Sequence, residues 1–442
     1  MSTPRRRVAT LAVSSFAALS LGLTGCSVGE IGGDTDSTEG QTEITFLTQE
    51  GGTNPTFVQA IIKKFSEQNP DIKVTMDTQP GGTEGDNLVK TKLATGEMAD
   101  VFTYNSGSLF QAINPDQNLA PLTDEAWVSS LSEDFKKVVS TPNGTYGAPT
   151  GTTQAGGVLY NRKVYQRLGL EIPTTWEEFK ANNEKIKADG KVDPIQQTFG
   201  DTWTAQLFVL ADFANVSAQD PEWPDQYTAN QRNYSTQPAL QSFLNQEEVA
   251  GKDWYNKRFA SALYDDGVKA VATGTAAHYP MLTSAISAIS QNFKENIDDV
   301  GVFAMPAQSA DHTQLTIWLP NAVYIPKTTE GAKLEAAKKL VAFINSPDGC
   351  QIQTELNIAS GPFATTNCQT PADVPPMIKE VQAYIDGGKS APALEFLSPI
   401  KGPNLSQITV EVGSKIKSGK EGAKLYDEDV KKQAQQLGLD GW

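Results

Sequence analysis

Histidine is scarce in this chain of 442 residues, which contains only His278 and His312. Two histidines are a poor supply for a nucleophilic triad or for a zinc site. The motifs HExxH, Cys-x-x-Cys and GxGxxG and the DxDxDG calcium loop are also absent from the sequence. No pair of carboxylates is marked as the acid and base of a glycoside hydrolase. The sequence therefore predicts a protein that is not an enzyme and that holds no metal and no cofactor.

An excess of basic residues is lacking as well. The chain has 36 Lys and Arg residues against 52 Asp and Glu residues, which gives a net charge of −16. A negative charge of this size disfavours binding to nucleic acid and docking on anionic lipid. The acidity is also what the solubility of an exported protein would require, so the charge excludes partners without naming one.

Long hydrophobic runs are missing too, because residues 8–23 fall short of the roughly 20 apolar residues that span a membrane as a helix. Three arginines precede this run, and Leu-Thr-Gly-Cys, ending at Cys26, follows it. This order resembles a bacterial lipoprotein signal. We predict that residues 1–25 are a signal peptide and that Cys26 carries lipid, with residues 26–41 as a flexible tether. An uncleaved anchor and a chance match are the alternatives.

The predicted lipid on Cys26 places the protein outside the cytoplasm, anchored to the outer face of the cell membrane. Cysteine is otherwise limited to Cys350 and Cys368. In an oxidising compartment such a pair indicates a disulfide, which would close a loop of about 18 residues and stabilise it by about 3 kcal/mol. Two free buried thiols are the alternative.

Strand and helix patterns alternate along the chain, which indicates parallel strands with crossover helices and an α/β fold class. The capping-box spacing of Thr175 and Glu178 predicts the start of a helix whose buried face begins with Trp176. About 400 residues exceed one core, so we expect two domains. The predicted strands lie at 43–47, 72–76, 100–104, 156–161, 300–303 and 322–325, and the predicted helices at 57–65, 88–94, 176–186, 331–345 and in pieces of 373–442.

Six segments, in their order and spacing, resemble the family 1 extracellular solute-binding proteins of bacterial ABC sugar importers, the family that includes maltose-binding protein. The segments are EITFLTQEGG (43–52), FVQAIIKKFSEQNPDIKVTM (57–76), LATGEMADVFTYNSGS (93–108), YGAPTGTTQAGGVLYNRKVYQRLGLEIPTTWEEF (146–179), VGVFAMPA (300–307) and NAVYIPKTTEGAKLEAAKKLVAFINSPDGCQIQ (321–353).

This resemblance implies a periplasmic-binding-protein-like fold, in which two α/β lobes close on a ligand around three chain crossings. It implies a monomer that delivers an oligosaccharide to the permease subunits of an ABC transporter. The crossings are expected near Thr150, near 307–314 and near 361–363. Lobe 1 would be residues 42–149 plus 314–361, and lobe 2 would be residues 150–313 plus 362–442.

Polar strand-end loops are the first candidates for a ligand site, because the carboxyl ends of strands face the crevice in open α/β sheets. These loops combine polar side chains with glycines, and hydroxyl-rich ligands need such partners because an unpaired buried hydroxyl costs about 1–3 kcal/mol. Ordinary turn chemistry would explain each loop equally well. The residues are Gln49, Glu50, Asn105, Ser106, Thr152, Thr153 and Gln154.

Aromatic residues are the second group of candidates, because the apolar face of a sugar ring can lie on an aromatic ring. The resemblance points to the surroundings of residues 203, 279–281 and 395–396, and the second crossing adds Trp318 and Asn321. Asp201 and Glu395 could accept paired sugar hydroxyls, or they could be solvated surface charges. Packing in a core is the alternative for each of Trp203, Tyr279, Trp318 and Phe396.

Two further functions stay open at this point. A cationic or peptide-like solute in the same fold would need acidic residues in the cleft, which Glu50, Asp201 and Glu395 could supply. A structural or adhesive surface protein would have no need for polar strand-end loops.

Overall fold

The structure is a computed structural model that describes residues 41–51, 54–356, 359–369, 371 and 373–442, without the side chain of Thr83. The predicted signal peptide, the lipid on Cys26 and all of the predicted tether except residue 41 lie outside the described residues. Within the described ranges, no helix combines the length and the hydrophobicity needed to cross a bilayer.

The strands of the described residues are short, with at most eight residues each. They are β1 (Thr42–Gln49), β2 (Ile72–Gln79), β3 (Val101–Tyr104), β4 (Ser140–Thr141), β5 (Gly144–Thr145), β6 (Ala148–Thr150), β7 (Gln154–Asn161), β8 (Asp193–Ile195), β9 (Ala276–Leu282), β10 (Val300–Phe303), β11 (Leu315–Trp318), β12 (Asn321–Tyr324) and β13 (Ser390–Pro392).

Helices follow most strands, as the alternating pattern predicts. They are α1 (Asn54–Gln68), α2 (Gly82–Thr95), α3 (Ser108–Gln111), α4 (Pro115–Asn118), α5 (Glu133–Val138), α6 (Arg162–Leu168), α7 (Trp176–Asp189), α8 (Leu207–Leu210), α9 (Phe213–Gln219), α10 (Trp223–Thr228), α11 (Leu240–Gly251), α12 (Tyr264–Thr273), α13 (Ala285–Asn292), α14 (Gly331–Ile344), α15 (Pro347–Leu356), α16 (Pro376–Asp386), α17 (Leu405–Gly413) and α18 (Gly419–Gln436). Short 3₁₀ helices lie at Ala126–Ser130, Thr202–Gln206, Lys294–Asp299, Ala310–His312 and Leu394–Phe396.

Local sequence signals explain where several of these helices begin. The Thr175 hydroxyl accepts the Glu178 N–H, and the Glu178 carboxylate accepts the Thr175 N–H, so the predicted capping box is confirmed. The predicted inner face of α7 is buried as well, with Trp176 and Phe179 at 1% and 0% exposure. Trp176 is therefore a core residue, as its place on the helix indicates.

The first sheet has the strand order β2-β1-β3-β12-β6. β1 pairs in parallel with β2 and β3, as predicted, and β12 runs antiparallel to β3 and β6. The carboxyl ends of β1, β2 and β3 therefore share one sheet edge with the start of β12. Among the described residues, a single hydrophobic core lies around this sheet, with α1 and α14 supplying Phe65 and Leu340.

The second sheet has the order β13-β11-β7-β9-β8, and β10 also pairs with β7. β7 is antiparallel to β9 and β11, whereas β8 is parallel to β9 and β13 is parallel to β11. The start of β7 therefore shares an edge with the ends of β9, β11 and β13. In the part of the chain that the structure describes, four separate clusters of buried apolar side chains pack around this sheet and its helices.

The chain passes from one sheet to the other at places that differ in part from the predicted ones. The first passage is residues 151–153, between β6 and β7. The second is residues 319–320, because β11 belongs to the second sheet, so the predicted boundary at 314 is too early. Residues 364–366 form backbone hydrogen bonds with residues 130–132, which lie beside the first sheet. The predicted change of lobe at 362 is therefore also too early. Hydrophobic patterns predict strands, but they do not say which sheet a strand joins.

Candidate functional site

The edge of the first sheet presents polar side chains at four neighbouring strand ends. Gln49 lies beside Gln79 in the register of β1 and β2, and both are the last residues of their strands. Asn105 follows β3, and Asn321 begins the antiparallel β12 at the same edge. The side chains of Gln49, Asn105 and Asn321 are half-buried. Gln79 is 2% exposed, yet its Oε1 finds no hydrogen-bond partner among the described residues.

The loop after β3 is held in place by two hydrogen bonds. The Ser106 hydroxyl donates to the Pro320 carbonyl at 2.9 Å, and the Tyr324 hydroxyl donates to the Asn105 carbonyl at 3.0 Å. Ser106 is thus engaged with the second passage between the sheets. The next hydroxyl, that of Ser108, is buried and has no hydrogen-bond partner in the described part of the chain.

The edge of the second sheet combines aromatic and polar side chains. Trp318 pairs with Gln154 in register, and its ring covers Gly156, where a Cβ atom would lie 2.3 Å from Trp318 Cζ3. Glycine is therefore required at position 156 for the ring to occupy this place. The Gln154 Oε1 is buried without a hydrogen-bond partner within the described ranges.

The two edges face each other, because backbone and side chains of one touch the other. A Cβ atom on Gly107, after β3, would lie 2.4 Å from the Glu395 carbonyl oxygen and 2.9 Å from Phe396 Cδ1, after β13. A Cβ atom on Gly82, at the start of α2, would lie 3.8 Å from Trp203 Cβ. Phe396 also packs against the core of the first sheet. The predicted aromatic residues Trp203 and Phe396 therefore lie where the two halves meet.

A group of charged side chains lies at the same junction. Lys401 Nζ is 2.9 Å from Glu395 Oε2, and both side chains are largely buried. Burial raises the pKa of Asp86 on α2, and the Lys401 ammonium and the Tyr104 hydroxyl counteract part of that rise. Burial, and then the nearby Asp86 carboxylate, raise the pKa of Tyr104. Asp86 and Tyr104 come from the first half of the molecule, and Glu395 and Lys401 from the second.

Sequence reasoning missed Gln79, Asp86, Tyr104 and Lys401. Gln79 is the last residue of an alternating strand, so the strand-end argument could have found it, and Tyr104 closes a predicted strand. Asp86 follows the Gly81-Gly82 turn that starts α2, which is a weak signal. Lys401 has no sequence signal, because only the fold brings it to Glu395.

Three predicted site residues are engaged in other contacts. The Thr152 hydroxyl lies 3.0 Å from the Ser360 hydroxyl, and the Thr153 hydroxyl donates to the Pro362 carbonyl at 2.5 Å. The Asp201 carboxylate accepts the Tyr264 N–H at 2.7 Å, at the start of α12. These groups hold the chain passage and a helix end, which leaves less of their hydrogen-bonding capacity for a ligand.

Tyr279 does not lie at the sheet edge, contrary to the expectation that it forms a platform for ligand. It is fully buried in the middle of β9, opposite Leu159, and its hydroxyl lies 2.8 Å from that of Thr198. Its ring fills the space beside Gly267, where a Cβ atom would lie 2.3 Å from Tyr279 Cζ. The neighbouring His278 is equally buried, and burial lowers its pKa to about 3.

Glu50 is the most exposed of the predicted residues. Its N–H donates to the Gln79 carbonyl at 2.8 Å, and its carboxylate accepts the Thr78 hydroxyl at 3.4 Å. The predicted ligand set as a whole stays a prediction. The Sγ atoms of Cys350 and Cys368 form a disulfide, which joins α15 to the segment after it. Within the described residues, no three His, Cys, Asp or Glu side chains are arranged to hold a metal ion.

A family model and a relative with a similar sequence each match more than half of the chain. A family model described as "Bacterial extracellular solute-binding protein" matches residues 50–349. The "Multiple sugar-binding protein" of Streptococcus mutans serotype c is 25% identical over 277 residues, which are 62% of this chain and 64% of that protein. The chain thus matches slightly less than two thirds of that relative's length.

Two solved structures have the same fold along most of the chain. A "Chitin oligosaccharide binding protein" aligns with a TM-score of 0.77 and 21% identity, covering 90% of this chain and 99% of that one. The "SBP RafE in complex with raffinose" aligns with a TM-score of 0.72 and 20% identity, covering 90% and 100%. These alignments confirm the predicted two-lobe, periplasmic-binding-protein-like fold. Because the family model covers well over half of the sequence, this chain belongs to the bacterial extracellular solute-binding protein family.

Proposed function

We propose that the protein captures an uncharged oligosaccharide between its two lobes and delivers it to the permease subunits of an ABC transporter. The observation that carries this proposal is the set of buried polar atoms without partners in the described part of the chain at the two facing edges, Gln79 Oε1, Ser108 Oγ and Gln154 Oε1. Leaving such an atom unpaired costs about 1–3 kcal/mol. Ligand hydroxyls, which both donate and accept, would satisfy all three.

Aromatic side chains at the same junction support a sugar. Trp203 is half-buried and packs on Tyr264, with ring centroids 5.6 Å apart, and Phe396 is half-buried as well. A pyranose ring exposes a face of C–H groups, and burying it against such rings stabilises the complex by about 25 cal/mol per Å². The relatives named for sugars and oligosaccharides point to the same ligand class.

A cationic or peptide-like solute is the second candidate, since Asp86 and Glu395 lie at the junction. The contacts argue against it. Glu395 is already neutralised by Lys401 at 2.9 Å, and the Asp201 carboxylate accepts a helix N–H. An added cation would compete with Lys401 for Glu395, whereas an uncharged polyol leaves that ion pair intact.

In the proposed mechanism the two lobes close on the ligand, and no covalent bond is made or broken. A ligand that contacts both sheet edges makes all of its hydrogen bonds only when the lobes are shut, so binding shifts the population to the closed state. The permease can then recognise the closed shape. We further propose that the protein works as a monomer held at the outer face of the membrane by lipid on Cys26.

Titration calorimetry against oligosaccharides, amino acids, short peptides and polyamines tests the proposed function. We expect heat of binding with at least one oligosaccharide and none with the cationic solutes. Chromatography of the same mixtures should show intact saccharide, since no catalysis is proposed. Binding of a polyamine or peptide in place of every saccharide would overturn the proposal, and so would hydrolysis of the bound sugar.

A further inference from the structure

The first chain passage, residues 151–153, lies along a support that comes from a distant part of the sequence. The Gly151 N–H donates to Gln353 Oε1 at 2.7 Å, and the Thr153 N–H donates to the Pro362 carbonyl at 2.9 Å. The Ser360 N–H donates to the Thr152 hydroxyl at 2.9 Å, and the Ser360 hydroxyl donates to the Thr153 carbonyl at 3.1 Å. Each residue of the passage is therefore hydrogen-bonded to a support, which we define as Gln353 and residues 360–363.

The fit between passage and support is also steric. A Cβ atom on Gly361 would lie 2.7 Å from the Thr153 carbonyl oxygen, a backbone atom that cannot move aside without shifting the passage. Glycine at position 361 allows the two backbones to approach closely enough for the hydrogen bonds around them.

The support is fixed to the first half of the molecule at both ends. Gln353 lies on α15, is 3% exposed, and donates its Nε2 to the Ile344 carbonyl at 3.1 Å. At the other end, Thr366 N–H donates to the Ser130 carbonyl at 2.8 Å. The Cys350–Cys368 disulfide joins these two ends, since Cys350 lies on α15 and Cys368 follows Thr366.

We propose that the disulfide-joined support holds the first chain passage in place while the lobes move about it. Gln353 is a positioning residue for this closure. The disulfide fixes the two ends of the support relative to each other. The passage therefore starts from one arrangement when the lobes close. Without the disulfide, the support has more arrangements than the one that the passage needs. The affinity of a closing receptor falls with the fraction of molecules that are competent to close. This inference rests on the proposed function only for its affinity readout.

The test compares the parent with Gln353→Leu, with the double variant Cys350→Ala/Cys368→Ala, and with the triple combination. Amide exchange of Gly151 and Thr153 is measured without ligand, and calorimetry is run with a saccharide that the parent binds. We expect exchange at these amides to become about tenfold faster or more in each variant. The apparent Kd should rise by about tenfold if the competent fraction falls to about one tenth.

Val430→Ala is the matched control, because it opens a cavity in the α18 core, away from the hinge, and lowers global stability. This variant should keep the parent's Kd and its exchange at Gly151 and Thr153. The triple variant should lose less affinity than the two separate effects combined, since both act on one support.

Folded variants whose Gly151 and Thr153 amides stay as protected as in the parent would overturn the inference, and so would an unchanged Kd alongside faster exchange. Gln353→Leu keeps the disulfide and keeps the test decisive if the cysteine variant does not fold. A parent that binds no saccharide refutes the proposed function instead, while the exchange data still decide whether the support holds the passage.

Discussion

Asp212 is a carboxylic acid enclosed by the second half of the molecule, where it is 4% exposed. Its Oδ1 accepts the Asn215 Nδ2–H at 2.7 Å, and burial raises its pKa to about 7. Between about pH 4 and pH 7 the unfolded chain releases this proton while the folded protein keeps it. The stability that Asp212 contributes is therefore fully present below about pH 4 and is lost as the pH rises from about 4 to about 7, at about 1.4 kcal/mol per pH unit.

Asp212→Asn should remove this pH dependence, because asparagine stays neutral and keeps an oxygen for Asn215. We expect the variant to gain stability over the parent as the pH rises from 4 to 7, by on the order of 3 kcal/mol, and the gap to stay constant above that. Urea denaturation at several pH values measures it, and the exposed Asp225→Asn controls for the lost charge. A stability difference that is independent of pH would contradict the prediction.

Trp203 and Tyr279 are matched aromatic residues in different surroundings, half-buried at the junction and fully buried in the core. Trp203→Ala should weaken saccharide binding by about tenfold or more while the protein stays folded, because it removes apolar contact area. Tyr279→Ala should instead lower the free energy of unfolding by about 3–5 kcal/mol, as large core deletions do.

Calorimetry and urea denaturation of both variants separate the two effects. Tyr279→Phe, which keeps the ring and loses only the contact with Thr198, should cost about 1 kcal/mol. Unchanged affinity in Trp203→Ala would mean that the ligand lies elsewhere.

At the scale of elements, the turn before α3 decides how closely the halves approach. Gly107 has a φ of +72°, and it places the backbone directly against the 3₁₀ helix Leu394–Phe396. A side chain there would meet the Glu395 carbonyl oxygen, so this element tolerates only glycine in the arrangement observed.

Gly107→Ala should keep the lobes further apart and raise the Kd of the ligand by about tenfold or more. Gly190→Ala is a matched control, because Gly190 has a φ of +68° but no atom of the described residues within 4 Å of the place that a Cβ atom would take, so only backbone strain is added. Small-angle scattering with ligand should show a larger radius of gyration for the first variant alone. Equal compactness and equal affinity of the two variants would argue against the role of this turn.

At the scale of the whole molecule, the proposed function needs a receptor that stays near the permease. Residues 1–40 lie outside the described structure, so the proposed anchor depends on the Arg5–Arg7 start, the apolar run and Cys26 alone. Two or more acyl chains hold a protein firmly on a membrane, whereas one holds it only marginally.

Cys26→Ser should abolish lipid attachment and release the folded protein from the membrane fraction. Mass spectrometry of the N-terminal peptide and cell fractionation measure the two effects, with unchanged calorimetry of the released protein as the control. A Cys26→Ser protein that remains membrane-bound would contradict the lipid anchor.

Periodicity and capping are local properties, so the sequence by itself determined those elements that carry a clear local pattern. The alternating residues of β1 and β2, the capping box at Thr175 and the inner face of α7 follow from neighbours a few positions apart. The alternation of strands and helices also indicated the polar strand ends, including Gln49 and Asn105, because parallel strands bring their carboxyl ends to one edge.

Only the tertiary structure decided which of these residues lie at the facing sheet edges. Whether an aromatic residue such as Tyr279 lies at the end or in the middle of a strand depends on sheet register. Thr152 has its hydrogen-bond partner in a distant segment of the sequence. Lys401 lies in a loop that has no sequence pattern of its own. Burial and contact between distant residues are set by how the sheets pack, and local periodicity carries no information about that packing.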